Sequence, residues 1–197
     1  MPDENKGGFE VNLFLELNNF DKTEIFKDSR LRNSLISDLP WQFILSERII
    51  CIFYIDREMT DDKGSTIYGH YEEGGENGQD TLYVYKQPEG KVENKEKRPF
   101  MRHAIYHEIA HSVYFRLRNK ARQEWISLIK PDKSESFIRQ KVRSPQEDFA
   151  ECFAFYIQNP DRLKDVSHEK YIFLKLHVFA CREYPEYKFL QEENNDY

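Results

Sequence analysis

Residues 101–116 read Met101-Arg102-His103-Ala104-Ile105-Tyr106-His107-Glu108-Ile109-Ala110-His111-Ser112-Val113-Tyr114-Phe115-Arg116. Apolar residues at 105, 106, 109, 110 and 113–115 occupy several faces of a 3.6-residue period, as expected of a central buried helix. The four-residue step from His107 to His111 puts both imidazoles on one face about a turn apart. There both reach one zinc ion, and Glu108 stands beside a metal-bound water as general base. The plain alternative is two polar residues that happen to share a helix face. Burying two imidazoles and a carboxylate on so apolar a helix is costly unless something satisfies them, and a divalent cation does. Two neutral imidazoles leave such an ion in need of a third protein ligand and an open position.

Outward from this helix, the preceding chain reads as strands and the following chain as helices, an α+β arrangement. Ile49-Ile50-Cys51-Ile52-Phe53-Tyr54-Ile55 is β-branched and aromatic over strand length and is the expected central strand. Thr81 to Lys86 is a second strand. Between them, Arg57 to Asp80 is polar and glycine-rich and reads as a long surface loop or irregular hairpin. Upstream, Asp21 to Leu39 carries a moderate amphipathic helix signal ended by Pro40. Pro99 suits the first turn of the HExxH helix, and Arg116, Arg118 and Lys120 suit its C-terminal pole. Downstream come a charged helical segment from Ala121 to Val142 interrupted by Pro131, and a helix opened by Ser144-Pro145 and stopped at Asn159-Pro160. A last helix is expected from about Ser167 to Glu183, with Ile172, Leu176, Phe179 and Ala180 on its apolar face.

Chain length, 197 residues, suits one domain, with residues 1–20 and the tail 191–197 peripheral. A net charge of -6 gives no general attraction to nucleic acid or anionic membrane, and no apolar run is long enough to span a bilayer. The expected partner is a protein or peptide substrate, with no nucleic acid and no membrane, and the expected state is a monomer. Met1 to Gly8 has no signal-peptide character, and Cys51, Cys152 and Cys181 suit reduced core thiols better than a disulfide frame, so a cytoplasmic protein is expected, with secretion as the alternative.

The third ligand is sought among Glu147 and Glu151, four apart at the start of a helix, so that both carboxylates point the same way. One could bind metal while the other orients a histidine. The plain reading of Glu147 is a capping box, its carboxylate returning to the Ser144 amide; that of Glu151 is a solvated helix carboxylate. His103 extends the spacing to HxxxHExxH. A drift of about 40° and a rise of about 6 Å per four residues set it beside the centre, where it reads as a structural or solvent-exposed histidine, with support of a ligand from outside the coordination sphere, or substrate binding, as the alternative. His168 and His177 carry no recognisable spacing.

The HExxH together with Glu147-Asp148-Phe149-Ala150-Glu151-Cys152-Phe153-Ala154-Phe155-Tyr156 resembles the zinc proteases of the anthrax lethal factor and Pro-Pro endopeptidase group, a branch of the gluzincins. The resemblance implies a zincin-like fold: a small mixed sheet, an active-site helix and a helical C-terminal part. It implies one Zn2+ per chain, held by His107, His111 and Glu147, with Glu108 as general base and Glu151 as partner of a ligand histidine. The implied activity is zinc-dependent endopeptidase cleavage of an extended protein segment. It further implies that the strand before the active-site helix, here Thr81 to Lys86, is a sheet edge that takes the substrate as an added strand; the plain alternative is an inner strand. The loop from Arg57 to Asp80 would then border the cleft. Where these families carry an oxyanion-stabilising tyrosine, seven residues before the third ligand, this chain has Gln140. Replacement donors are Gln140 itself, Lys141, Arg143, Tyr68, His70 and Tyr71.

Two other readings stand beside this one. A catalytically weak zincin-fold protein could bind a partner without cutting it, although such a module has no need of Glu108. A purely structural zinc site would use four protein ligands, commonly cysteines, and no cysteine here is suitably spaced.

Overall fold

The β-branched run around Ile52 forms a strand at the centre of a four-stranded sheet in the computed structural model, which describes residues 15–18, 33, 37–39, 50–74, 80–86, 94–129 and 144–184. Among the described residues the strands are β1 (Leu15–Asn18), β2 (Ile50–Ile55), β3 (Met59–Thr60), β4 (Thr66–Ile67), β5 (Gly69–Glu72) and β6 (Asp80–Tyr85). The helices are α1 (Asn94–Arg116), α2 (Asn119–Leu128), α3 (Pro145–Gln158), α4 (Pro160–Val166) and α5 (His168–His177). The chain is thus an α+β protein with small sheets.

The main sheet runs β1-β2-β6-β5. β2 is parallel to both β1 and β6, with Ile52 opposite Leu82, whereas β5 is antiparallel to β6, with Tyr71 opposite Leu82. Ile52, Leu82 and Val84 are wholly buried, as the alternation of a sheet with one face under helices requires. Two expectations change here. Thr81 to Lys86 belongs to an inner strand, because both its edges are paired. Among the described residues, the sheet edge beside the helices is β5, drawn from the glycine-rich stretch that reads as loop. Of its residues Gly69, His70, Tyr71 and Glu72, only Tyr71 favours strands, and pairing with β6 holds the segment extended. The rest of that stretch contains a small antiparallel pair, β3 with β4. Leu15–Asn18, inside a segment read as peripheral, joins the sheet as β1.

α1 packs most extensively against α3 and also lies on β5 and β6. It begins at Asn94, so Pro99 sits beyond the first turn; the good helix formers between Lys95 and Arg98 extend the helix in front of the proline. Trp125 of α2 meets Phe149 of α3 and Phe173 of α5 at ring-centroid distances of 5.0 and 5.1 Å, and Phe179 stacks on Tyr156 at 4.4 Å. This aromatic core carries the helical half and fixes α3 against α1. α5 ends at His177, short of the expected Glu183: Ala180 and Cys181 adopt positive φ, and the Cys181 amide donates to the Lys175 carbonyl at 2.7 Å, a helix-terminating turn. Within α5 Leu176 is exposed, and Tyr171, Phe173 and Leu174 are the buried residues.

Of the amphipathic helix expected between Asp21 and Leu39, Asn33, Ser37 and Asp38 are helical and Leu39 is buried; the remainder lies outside the described residues, as do Pro131, Gln140, Lys141, Arg143 and the tail from 191. Cys51 and Cys152 are buried free thiols as expected, but Cys181 is exposed on the turn after α5. Among the described residues no helix is long and apolar enough to cross a membrane.

Candidate metal centre

Two helix stripes face each other across the α1–α3 contact. α1 presents His103, His107 and His111, one per turn; the rings of His107 and His111 stand edge to face with centroids 5.0 Å apart. α3 presents Glu147 and Glu151 from its first two turns. Ser144 caps α3 by accepting the Glu147 amide at 3.3 Å, which is one arm of the capping box. The reciprocal arm gives way to the centre: Glu147 Oε2 lies 3.2 Å from His107 Nε2, and Oε1 lies 3.5 Å from His111 Nε2. Local helix capping and the tertiary site therefore use different atoms of one residue.

Behind His107, its Nδ1 lies 3.3 Å from Glu151 Oε2. A carboxylate only accepts, so without metal both ring nitrogens of His107 donate, Nδ1 to Glu151 and Nε2 to Glu147, and a cation at Glu147 would take the place of the Nε2 proton. The donor atoms of His107, His111 and Glu147 all lie within 4.8 Å of one another. Once His107 gives up its Nε2 proton, that nitrogen and the Glu147 carboxylate are acceptors facing each other, an arrangement that needs a cation or a proton between them. Two imidazoles and one carboxylate are donors that suit a divalent cation, so these residues could hold one. His103, His107 and Glu151 also approach within the same limit. The two groups share His107.

Charge follows the geometry. Burial works against a charged His107, yet its hydrogen bonds to Glu147 and Glu151 outweigh that and hold its pKa up at about 10 without metal. Burial and the neighbouring charge of His107 push His111 down to about 4. The hydrogen bond from His107 holds Glu147 below its ordinary value, and hydrogen bonds from His103 and His107 overcome burial to hold Glu151 at about 2. Glu108 is pushed up to about 7, chiefly by burial, with Glu147 adding to it and His107 opposing. A carboxyl in that range is well matched to taking and returning a proton near neutral pH.

Glu108 is 6% exposed, and its carboxyl rests on the backbone of Gly69 in β5. A Cβ at residue 69 would stand 2.4 Å from Glu108 Oε1, so any larger residue there would push the Glu108 carboxyl from its place. Tyr71, two residues on, stacks on His111 with centroids 6.2 Å apart. A cleft of about 940 Å³ opens between β5 and the two helices, lined by Tyr68, Gly69, His107, Glu108, His111 and Glu147 among others. The stretch from Gly64 to Tyr71 does border it, as the sequence leads one to expect.

All five singled-out residues, His107, Glu108, His111, Glu147 and Glu151, line this cleft. Sequence reasoning set His103 aside, but its Nε2 lies 3.0 Å from Glu151 Oε2, so it belongs to the cluster. The HxxxH spacing held the signal. Gly69 was counted only as loop, and nothing local marks it. Of the candidate oxyanion donors, Tyr71 turns its hydroxyl toward Ser112 and is pushed up to about 12, mainly by burial and by Asp80. His70 is exposed and stacks on Tyr83 at 6.2 Å, and Tyr68, His70 and Tyr71 all line the cleft. No protein-family model matches the chain, and a search of curated proteins finds no relative of it.

Proposed function

We propose that this chain is a zincin-like zinc-dependent metalloendopeptidase that cleaves peptide bonds in an extended protein segment. One observation carries the reading: a cluster of acceptor atoms from His107, His111 and Glu147 opens on the same cleft as a buried, proton-ready Glu108. His107, His111 and Glu147 would hold the zinc, with Glu151 fixing His107. When bound there, zinc supplies Lewis acidity, lowering the pKa of a coordinated water and polarising a carbonyl.

The chain's own residues do the rest. Glu108 accepts the proton of the attacking water through its carboxylate and later delivers it to the leaving amine nitrogen. Burial against Gly69 shields it from bulk solvent and limits where that carboxylate can lie. β5 ends the sheet order, so an extended peptide can add to its outer edge through main-chain hydrogen bonds while the cleft reads side chains. Exchange of residues 57–80 is therefore expected to change substrate preference, and an unchanged cleavage profile would count against that edge as the docking strand.

The test is a mixed peptide library incubated with the zinc-loaded protein and with its Glu108→Gln variant, read by mass spectrometry. Cleavage by the parent, reduced on the order of 100- to 10,000-fold in the variant with zinc still bound, is expected. Cleavage at equal rates by both removes Glu108 from the chemistry. No cleavage by either, at one zinc per chain, favours a zinc-binding protein that holds its partner without cutting it.

A further inference from the structure

Glu151 Oε2 is approached from two sides, by His107 Nδ1 at 3.3 Å and by His103 Nε2 at 3.0 Å. The carboxylate can only accept, so each histidine nitrogen facing it donates. On the far side of the His103 ring, Nδ1 lies 2.9 Å from Gln158 Oε1, and an amide can meet either role of that nitrogen by turning over. Phe155 closes edge-on against the same ring, with centroids 5.2 Å apart. Glu151, Phe155 and Gln158 follow one another along one face of α3, at the helical steps i, i+4 and i+7. The centre is thus backed by a line of side chains running from Gln158 through His103 and Glu151 to His107.

We propose that His103 is a positioning residue of the metal centre: bonded to Glu151, it holds that carboxylate on His107 Nδ1 and so fixes the imidazole plane and tautomer that offer Nε2 to the cation. Glu151 alone has a flexible side chain with rotamers leading away from His107; a second donor on the same oxygen selects the one that meets it. Outer partners of ligand histidines act in this way on metal affinity. The inference rests on His107, His111 and Glu147 as the metal seat, and it stands whether or not the protein cleaves peptides.

The experiment is zinc affinity of the full chain by competition with a chromophoric chelator. His103→Ala is expected to weaken binding by about 10-fold. In a Glu151→Ala background the same substitution is expected to change nothing further, because the path to His107 is already cut. His103→Gln, whose amide nitrogen reaches the place of Nε2, is expected to keep near-parent affinity, whereas His103→Asn, whose nitrogen reaches the place of Nδ1, is expected to behave as His103→Ala. A structural role would not separate the glutamine from the asparagine variant. Full additivity with Glu151→Ala, equal effects of Gln and Asn, or parent affinity in His103→Ala each overturns the proposal. Failure of the parent itself to bind zinc overturns the metal seat as well, so the two failures are distinguishable.

Discussion

Two polar clusters lie along α1, and they resolve their charges in opposite ways. Toward its C-terminal end, Asp80 is wholly buried at the start of β6; it accepts from Ser112 Oγ at 2.7 Å and pairs with Arg116. Donors there answer acceptors, and the network is complete from the protein's own atoms. About one turn earlier, His107, His111 and Glu147 bring acceptor atoms together, and without metal the chain meets the demand by keeping a proton on His107. A closed network stabilises the helix on the sheet, whereas an acceptor cluster beside a cleft is built for something that arrives from outside.

That contrast can be broken at either end. The largest effect is expected from Arg116→Ala, which strands the Asp80 carboxylate in the core: about 3–5 kcal/mol of stability lost in chemical denaturation, with zinc stoichiometry unchanged. A variant as stable as the parent would mean that Asp80 is satisfied by its other partners. His111→Ala is expected to do the reverse, lowering zinc affinity on the order of 100- to 1,000-fold while the metal-free fold persists by circular dichroism. If it unfolds the metal-free protein instead, the two clusters are alike.

Gly69→Ala sharpens the contrast within the open cluster. The new methyl would displace the Glu108 carboxyl, so turnover is expected to fall by about 10- to 100-fold with zinc affinity retained. Parent-like turnover would show that Glu108 reaches its substrate from another rotamer.

The smallest effect is one of pH. His111 is held down and Glu147 is held ionised, so above neutral pH the metal-free centre keeps the proton of His107 as the one that a cation displaces. Zinc affinity is therefore expected to rise by about tenfold per pH unit between about pH 7.5 and 9, a slope that pH-independent binding would remove. The sign for folding is opposite. In the metal-free protein His107 has its pKa raised from 6.5 to about 10, so its contribution to stability is full below 6.5 and fades as pH rises through about 10.

How much of this was legible in the residues varies with the range of the interaction. HExxH and the ExxxE step are periodic features of single helices, and helical geometry alone aligns their side chains. Both strands with β-branched runs, β2 and β6, were legible for the same reason. β5 was not, because Gly69-His70-Tyr71-Glu72 is held extended by β6 and not by its own preferences. Neither was the division of labour in Glu147, whose sequence context specifies a capping box while the approach of α1 turns its carboxylate toward the histidines. His103 lay between these cases: the spacing was visible, but its partner Glu151 is 48 residues away.

By itself, then, the sequence determined which side chains share a helix face, that the chain has an apolar core, and that two imidazoles and nearby carboxylates were available for one ion. Only the tertiary structure decided which carboxylate meets Nε2 and which meets Nδ1 of His107, which strand is the edge beside the cleft, and why residue 69 has no side chain. Helical and strand periodicities are local and can be read along the chain. The distances between α1, α3 and β5 depend on how their apolar faces pack, and no single segment carries that information.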